Sequence, residues 1–238
     1  MNTLKYLLII IFLTIFAVSC SLTSPIYNKS KELNKFDGQY NISFISNEIC
    51  MANSIIEIVN NVVEGRITNV QKQLFIVKGN VSEKGELRIK SIETDSEETV
   101  EATGKISQDG IINGTYKVGK RQGKFLGFCF FTQSKDMIVK KYDGDYQVEF
   151  YRNDQQMANI QAKIIDGEFH TFITTKNDEI YRIDGKISND GKIILNTIFS
   201  NMGHGITVSG TINEKGLING EYYTFAGNKG LFSGKRIQ

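Results

Sequence analysis

The sequence repeats itself at an offset of 106 residues. Asp37-Gly38-Gln39-Tyr40 returns as Asp143-Gly144-Asp145-Tyr146, and Met51-Ala52-Asn53 returns as Met157-Ala158-Asn159. Glycines share this spacing at Gly79 and Gly185, Gly85 and Gly191, Gly104 and Gly210, Gly110 and Gly216, and Gly114 and Gly220. Because one offset holds across so many glycines, the loops are equally long in both halves, and one fold occurs twice in tandem.

Each half shows the alternation of apolar and polar residues that is typical of β-strands. Tyr40, Ile42 and Phe44 alternate with polar residues. The same alternation returns in the second half at Tyr146, Val148 and Phe150. A period of two indicates strands with one buried face. No segment after residue 35 has a sustained helical period, and the β-branched residues of 54–63 favour a strand there as well.

Polar turns that end in glycine separate these strands, and glycine supplies the positive φ that short hairpin turns require. Each half has room for about eight strands of ordinary length. Strands joined by hairpins hide their edges when the sheet closes on itself. We therefore predict an all-β protein with two tandem antiparallel meander domains, at residues 36–135 and 140–238. Each domain is expected to be a small up-and-down β-barrel or a curled sheet of about eight strands.

The N-terminal residues have the pattern of an export signal. Residues 6–17 follow Lys5 as a continuous apolar run, which is shorter than the roughly 20 residues that a bilayer span needs. This pattern indicates a signal peptide over residues 1–19. The run ends in Ala17-Val18-Ser19-Cys20, which resembles the lipobox of bacterial lipoproteins, although Ala17 stands where that family usually has leucine.

The lipobox resemblance implies cleavage before Cys20 and a diacylglycerol-type lipid anchor, with palmitate, on Cys20. The resemblance also implies that Ser21, in place of the aspartate that would retain such a protein at an inner membrane, favours sorting to the outer membrane facing the periplasm if the cell has two membranes, with the cell surface as the alternative location. An ordinary signal peptide cut near Ser19, which leaves Cys20 free, is the other interpretation. Residues 20–35 are polar and contain the only proline of the chain, so they predict a flexible tether.

The two remaining cysteines, Cys50 and Cys129, both lie in the first repeat, and the second repeat has none. An exported protein meets an oxidising environment, in which disulfides form and persist. We therefore predict a disulfide between Cys50 and Cys129, with two buried free thiols as the alternative. A metal site built from two cysteines without a neighbouring histidine is not expected.

No residues have the spacing of a catalytic centre. His170 and His204 are the only histidines, and neither has a histidine counterpart in the first repeat. Nucleophilic catalysis requires a base beside a serine or cysteine, whereas His204 stands in a glycine-flanked turn. Asp37 and Asp143 precede glycine, and Asp-Gly is a strong turn former. We predict no enzymatic activity, no metal and no cofactor.

Opposite charges collect in two different hairpins. The basic hairpin is a candidate contact for anionic lipid head groups or lipopolysaccharide, and it contains Lys117, Lys120, Arg121 and Lys124. The acidic hairpin is a candidate cation site, and it contains Glu93, Asp95, Glu97, Glu98 and Glu101. Two solvated turns are the alternative interpretation. A net charge of +2 creates no strong field for nucleic acid, and export also argues against such a partner.

The last strand of the first repeat is apolar on both faces. Phe128 and Phe130 fall on one face, and Phe125 and Phe131 fall on the other. A strand with two apolar faces is expected to be buried on both sides. The second domain is the candidate for covering the outer face.

Gly38-x-Tyr40 and Gly144-x-Tyr146 resemble the opening Gly-x-Trp of lipocalin- and avidin-like barrels, with tyrosine in place of tryptophan. Small eight-stranded barrels are either filled by side chains or hollow, and the large inward residues here favour filled barrels. We predict a non-enzymatic envelope lipoprotein that is a structural or protein-interaction module at the membrane surface, with an envelope protein as partner. The alternative, which the barrel resemblance implies, is a protein that binds a lipid or small hydrophobic ligand.

Overall fold

The computed structural model describes residues 34–95, 97–131, 139–175, 178–200 and 205–237. The predicted signal peptide, Cys20 and nearly all of the predicted tether lie outside these ranges, as does His204. In the described part of the chain, no helix is both long enough and apolar enough to cross a membrane.

The first half folds into a closed barrel of antiparallel strands that follow one another in chain order. The strands are β1 (Gly38–Ser46), β2 (Ile49–Val59), β3 (Val62–Thr68), β4 (Leu74–Val81), β5 (Glu86–Thr94), β6 (Val100–Ile106), β7 (Ile111–Val118) and β8 (Arg121–Phe131). The first strand also pairs with the last, and this pairing closes the sheet.

The second half repeats the same topology. Its strands are β9 (Gly144–Arg152), β10 (Gln155–Ile165), β11 (Glu168–Thr174), β12 (Ile180–Ile187), β13 (Lys192–Ser200), β14 (Ile206–Ile212), β15 (Leu217–Thr224) and β16 (Lys229–Arg236). Pairing of β16 with β9 closes this barrel. The predicted all-β fold of two tandem eight-stranded meanders is confirmed, and both meanders are closed barrels.

An aromatic residue plugs one end of each barrel just before its first strand. Phe36 is 3% exposed, and its carbonyl oxygen accepts a hydrogen bond of 3.0 Å from the Tyr40 hydroxyl. In the second barrel the Tyr146 hydroxyl donates a bond of 2.7 Å to the carbonyl oxygen of Tyr142. Burial raises the pKa of Tyr40, so its hydroxyl remains a donor. The repeated tyrosine therefore fixes the plug, and we call this end of each barrel the closed end.

The hairpins at the closed ends turn through glycines that have positive φ. Their φ angles lie between 75° and 82°, at Gly85, Gly110, Gly191 and Gly216. Residues with a side chain rarely adopt this conformation. The turn role that the sequence predicted for these glycines is confirmed.

A second kind of glycine makes room for an aromatic ring inside each barrel. Gly104 and Gly114 face each other across β6 and β7. A Cβ atom at either position would lie 2.6 Å from the ring of Phe125, which is closer than atoms pack. The second barrel has the same arrangement at Gly210, Gly220 and Phe232. These glycines recur because the ring lies directly against the backbone.

The two barrels have separate apolar cores and pack side by side along a third apolar cluster. This seam contains Ile45, Cys50, Ile111, Leu126 and Phe128 from the first barrel, and Ile194 and Tyr223 from the second. Phe125 faces its own core, whereas Phe128 faces the second barrel. The prediction that the last strand of the first repeat is buried on two sides is thereby confirmed.

Matching ends of the two barrels meet, so the barrels have the same orientation. At the closed ends, the Asp109 carboxylate accepts a hydrogen bond of 2.8 Å from the backbone nitrogen of Asn189. At the opposite ends, the Nζ atom of Lys229 lies 2.7 Å from Oε1 of Glu48. We call these opposite ends the mouths. Both mouths therefore lie on one side of the molecule, away from the plug of Phe36.

The predicted disulfide between Cys50 and Cys129 is wrong, because neither cysteine forms a disulfide bond in the described structure. Cys50 pairs with Ile45 on one flank of β1, whereas Cys129 pairs with Tyr40 on the other. Five residues along a strand correspond to about 16 Å, and disulfides need Cα atoms within about 7 Å of each other. Burial raises the pKa of Cys50 to about 12, so this thiol is unreactive at neutral pH.

Candidate functional site

The mouth of the first barrel holds a half-open pocket of about 220 Å³, which we call the first pocket. Its walls are apolar and include Phe44, Ile67, Phe75, Val100 and Tyr116. Phe44 packs edge-on against Tyr116, with 5.2 Å between ring centroids. Below these residues the interior is filled by the apolar core. The barrel is therefore filled over most of its length and open at one end.

The mouth of the second barrel holds an equivalent pocket of about 190 Å³, the second pocket. Its walls include the counterparts of the first at the repeat offset, namely Phe150, Ile173, Tyr181, Ile206 and Tyr222. Because the two mouths lie on one side of the molecule, both pockets open on the same side.

The repeated Met-Ala pair lies in the walls of these pockets. Met51 and Ala52 line the first pocket, and Met157 and Ala158 line the second. The sequence repeat marked these residues, but sequence reasoning assigned them no role. The recurrence of this pair in both repeats is the sequence signal that could have located the site. Alanine leaves space beside the pocket wall, and methionine adapts to irregular apolar surroundings.

The volumes of the pockets limit what they can hold. Ligand sites for drug-sized molecules measure about 300–1,000 Å³, so both pockets are smaller than these. An apolar cavity of about 150 Å³ is large enough to bind benzene. Each pocket therefore accommodates a compact apolar group rather than a whole lipid chain.

The rims of the two pockets differ in charge. Arg152, at the end of β9, and Glu179, just before β12, both line the second pocket. Their counterparts in the first repeat are the neutral residues Ser46 and Gln73. The first pocket has Arg121 on its lining, but this arginine forms an ion pair with Glu98. The first pocket is thus essentially apolar, and the second combines an apolar interior with a charged rim.

Two hydroxyl groups orient the Glu179 carboxylate. The Tyr181 hydroxyl donates to Oε2 of Glu179 at 3.1 Å, and the Thr175 hydroxyl donates to the same oxygen at 3.4 Å. Burial, and then the charge of Glu179, raises the pKa of Tyr181 to about 12. Tyr181 therefore stays protonated and remains a donor at neutral pH. Among the described residues, both of these donors bind Oε2 and none donates to the second oxygen, Oε1.

The basic hairpin between β7 and β8 lies beside the mouth of the first barrel, and one of its four positive charges forms an ion pair within the described residues. Arg121 pairs with Glu98. The Nζ atom of Lys124 lies 3.3 Å from the Tyr223 hydroxyl and 4.8 Å from the centroid of its ring. Lys117 stands directly opposite Glu101 in the strand register, and Glu101 forms its ion pair of 3.2 Å with Lys90. The structure brings the predicted basic and acidic hairpins together. Contact with lipid head groups by Lys117, Lys120, Arg121 and Lys124 stays a prediction.

His170 lies on the outer surface of the second barrel and belongs to a charge cluster. Its Nε2 atom lies 3.3 Å from Oε2 of Glu168, and its Nδ1 atom lies 3.2 Å from Oδ1 of Asp184. The hydrogen bond with Glu168 is the main cause that raises the pKa of His170. In the first repeat the equivalent positions hold Glu64 and Lys78, an ion pair of 2.8 Å. The cluster therefore replaces a cross-strand ion pair and lies apart from the pockets. Over the described residues, no three His, Cys, Asp or Glu side chains are grouped so as to hold a metal ion.

The sequence matches no known protein family, and no curated protein matches it significantly. Among solved structures, the chain is similar to a mutant of the vaccine antigen transferrin binding protein B from Haemophilus parasuis, with 7% identity over 87% of this chain and 77% of that chain and a TM-score of 0.27. It is also similar to a proposed outer membrane protein from Bacteroides fragilis, with 14% identity over 85% of this chain and 100% of that chain and a TM-score of 0.27. A third similarity is to a hemagglutinin from Myxococcus xanthus in complex with a mannopentaose, with 10% identity over 83% of this chain and 99% of that chain and a TM-score of 0.19. TM-scores this low support no argument about function.

Proposed function

We propose that the protein is a non-enzymatic binding protein of the cell envelope, anchored by a lipid on Cys20, that takes up a compact apolar group in the mouth of a barrel. The observation that carries this proposal is the recurrence of an apolar pocket at the same place in both repeats. The wall positions of this pocket are apolar in both repeats, although rim positions between them differ.

The chain enters the first barrel at its closed end, where Phe36 plugs the barrel. A flexible tether between a lipid on Cys20 and this end would let the barrels stand off the membrane. The pockets would then collect a ligand from the surrounding compartment. We place that compartment in the periplasm, at the outer membrane, with the cell surface as the alternative.

Replacing Cys20 by serine is expected to move the protein from the membrane fraction to the soluble fraction, because a lipid anchor supplies the attachment. Mass spectrometry of the membrane-bound wild type is expected to show an acylated N-terminal cysteine. An unmodified N-terminus on the mature protein would contradict the anchor, as would unchanged membrane attachment of the Cys20→Ser variant.

Replacing Ala52 by leucine is expected to fill the first pocket and to remove the toluene that binds there. Ala52 is 2% exposed and lines the pocket, so the added carbons enter existing space and the stability changes by less than about 1 kcal/mol. Calorimetric titration with toluene measures the number of molecules bound to each variant.

The matched control is Ala102→Leu. Ala102 is also 2% exposed but lies in the packed core between Ile89 and Tyr116. Overpacking at this position is expected to cost about 1–3 kcal/mol and to leave toluene binding in place. Equal destabilisation by both substitutions, or an Ala52→Leu variant that binds as many toluene molecules as the wild type, would refute the pocket.

The second candidate function is a structural or protein-interaction module. It is favoured by Phe172, which is 63% exposed on β11, and by Ile180, which is 40% exposed on the neighbouring strand, because exposed apolar groups mark contact surfaces. A photo-crosslinker at position 172 would capture an envelope protein in cells if this function holds. The repeat-equivalent position 66, which carries arginine, is the control site.

A further inference from the structure

The second pocket carries two charges of opposite sign above a small apolar cavity. Arg152 ends β9 and Glu179 directly precedes β12, and three strand steps separate these strands around the barrel wall. In an eight-stranded barrel this places them on nearly opposite sides of the mouth. Neither forms an ion pair within the described residues, although both line one pocket of about 190 Å³.

The chemistry of this pocket has three parts that a single ligand can satisfy. A guanidinium binds carboxylates through its fixed fork of donors. Oε1 of Glu179 accepts no hydrogen bond in the described structure, since both hydroxyl donors bind Oε2, so it is available to an ammonium group. Beneath them lie the apolar side chains of Phe150, Ile173 and Tyr222.

We propose that the second pocket binds a zwitterionic amphiphile: an α-amino acid with an aromatic or branched aliphatic side chain. Its carboxylate would bind Arg152, its ammonium group would bind Glu179, and its side chain would enter the apolar cavity. The cavity is slightly larger than one that holds benzene, which suits a side chain of this size. This inference rests on the proposed function, because both assign ligand binding to the mouths.

Comparison with the first pocket shows that the charged rim is specific to the second repeat. The five apolar wall residues named for each pocket correspond one to one, whereas the two charges stand at the positions of Ser46 and Gln73. The apolar part of the site was therefore kept and the rim changed. Charged groups at a rim select among ligands of similar shape, since a ligand without the complementary charge leaves them unpaired. The two pockets are accordingly assigned different ligands, a neutral apolar group and a zwitterion.

Three probes that share a phenyl ring test this assignment by calorimetry. L-phenylalanine carries both charges, 3-phenylpropionate only the negative one, and 2-phenylethylamine only the positive one. The wild-type protein is expected to bind L-phenylalanine about tenfold more tightly than either other probe. Arg152→Gln is expected to abolish the preference over 2-phenylethylamine, and Glu179→Gln the preference over 3-phenylpropionate. Glutamine at 179 still accepts the two hydroxyl bonds, so the local structure is kept.

Arg121→Gln is the matched control. Because Arg121 lines the first pocket, this substitution should leave the affinities of all three probes for the second pocket unchanged. Equal binding of the three probes would overturn the proposal, as would L-phenylalanine binding that neither Arg152→Gln nor Glu179→Gln weakens. Toluene binding to the first pocket does not depend on these charges. If toluene still binds the first pocket while the preference for L-phenylalanine is absent, only the zwitterion assignment fails. If toluene binding and the preference are both absent, the proposed function fails.

Discussion

Replacing Phe125 by alanine is expected to lower the free energy of unfolding by about 3–5 kcal/mol, because it opens a large cavity in the first core. The ring of Phe125 is fully buried. Its centroid lies 5.9 Å from that of Phe44, and it rests against the backbone at Gly104 and Gly114. Since glycine has no side chain that can move into the space, the cavity should persist. Urea denaturation followed by circular dichroism measures the change.

The control for this substitution is Phe130→Ala on the same strand. Phe130 is 37% exposed, so its removal is expected to cost less than about 1 kcal/mol. The repeat supplies a second comparison, because Phe232→Ala should destabilise the second barrel by a similar amount. A loss below about 1 kcal/mol for Phe125→Ala would mean that the ring does not pack on the glycine pair.

Replacing Gly114 by valine is expected to lower the stability by at least about 3 kcal/mol or to prevent folding of the first barrel. A Cβ atom at this position would lie 2.6 Å from both the Cα atom of Gly104 and Cε1 of Phe125, and closer still to the carbonyl oxygen of Thr103. Two of these three contacts are with backbone atoms, which cannot move without shifting β6. Thermal and urea unfolding measure the loss, and Thr115→Ala at the adjacent exposed position serves as control.

A double variant tests the cause of this loss. If the ring of Phe125 is part of the clash, Gly114→Ala combined with Phe125→Leu should cost less than the sum of the two single substitutions. Residues in direct contact show such coupling energies of about 0.5–3 kcal/mol. Strict additivity would show that the glycine is required for the backbone contact alone.

The hairpin architecture was predictable because its determinants are local. The turn glycines Gly85 and Gly110 lie between neighbouring strands, so their spacing in the sequence is the spacing of the hairpins. The β-branched residues of 54–63 extend β2 to Val59 and begin β3 at Val62, as their strand preference indicated. Closure into barrels followed from the need to hide sheet edges.

The seam between the barrels was less predictable because its partners are distant in the chain. Alternation suggested that Asn41 and Ser43 face solvent, but they are 2% and 0% exposed. The second barrel covers them, and Nδ2 of Asn196 donates a hydrogen bond of 3.1 Å to Oδ1 of Asn41. Polar residues on an outer face look the same in a sequence whether water or another domain satisfies them.

The disulfide prediction was wrong and the pockets were not predicted, for a related reason. The joint absence of cysteines from the second repeat suggested a pair, but Cys50 lies in the seam and Cys129 in the core. The pockets arise from space that side chains leave empty, and sequence patterns report the side chains present. Arg152 and Glu179 line one pocket only because the sheet closes into a barrel. Their positions in the sequence therefore gave no sign that they belong to one site.

Methyl NMR of the protein labelled with ¹³C-methyl methionine tests the central claim, that each barrel mouth holds an apolar binding pocket, most directly. Met51 and Met157 line the first and second pockets, and Met51→Leu and Met157→Leu assign their signals. Titration with toluene is expected to shift both signals to saturation through the ring current of the bound molecule. Signals of Met51 and Met157 that stay in place at saturating toluene would contradict the account.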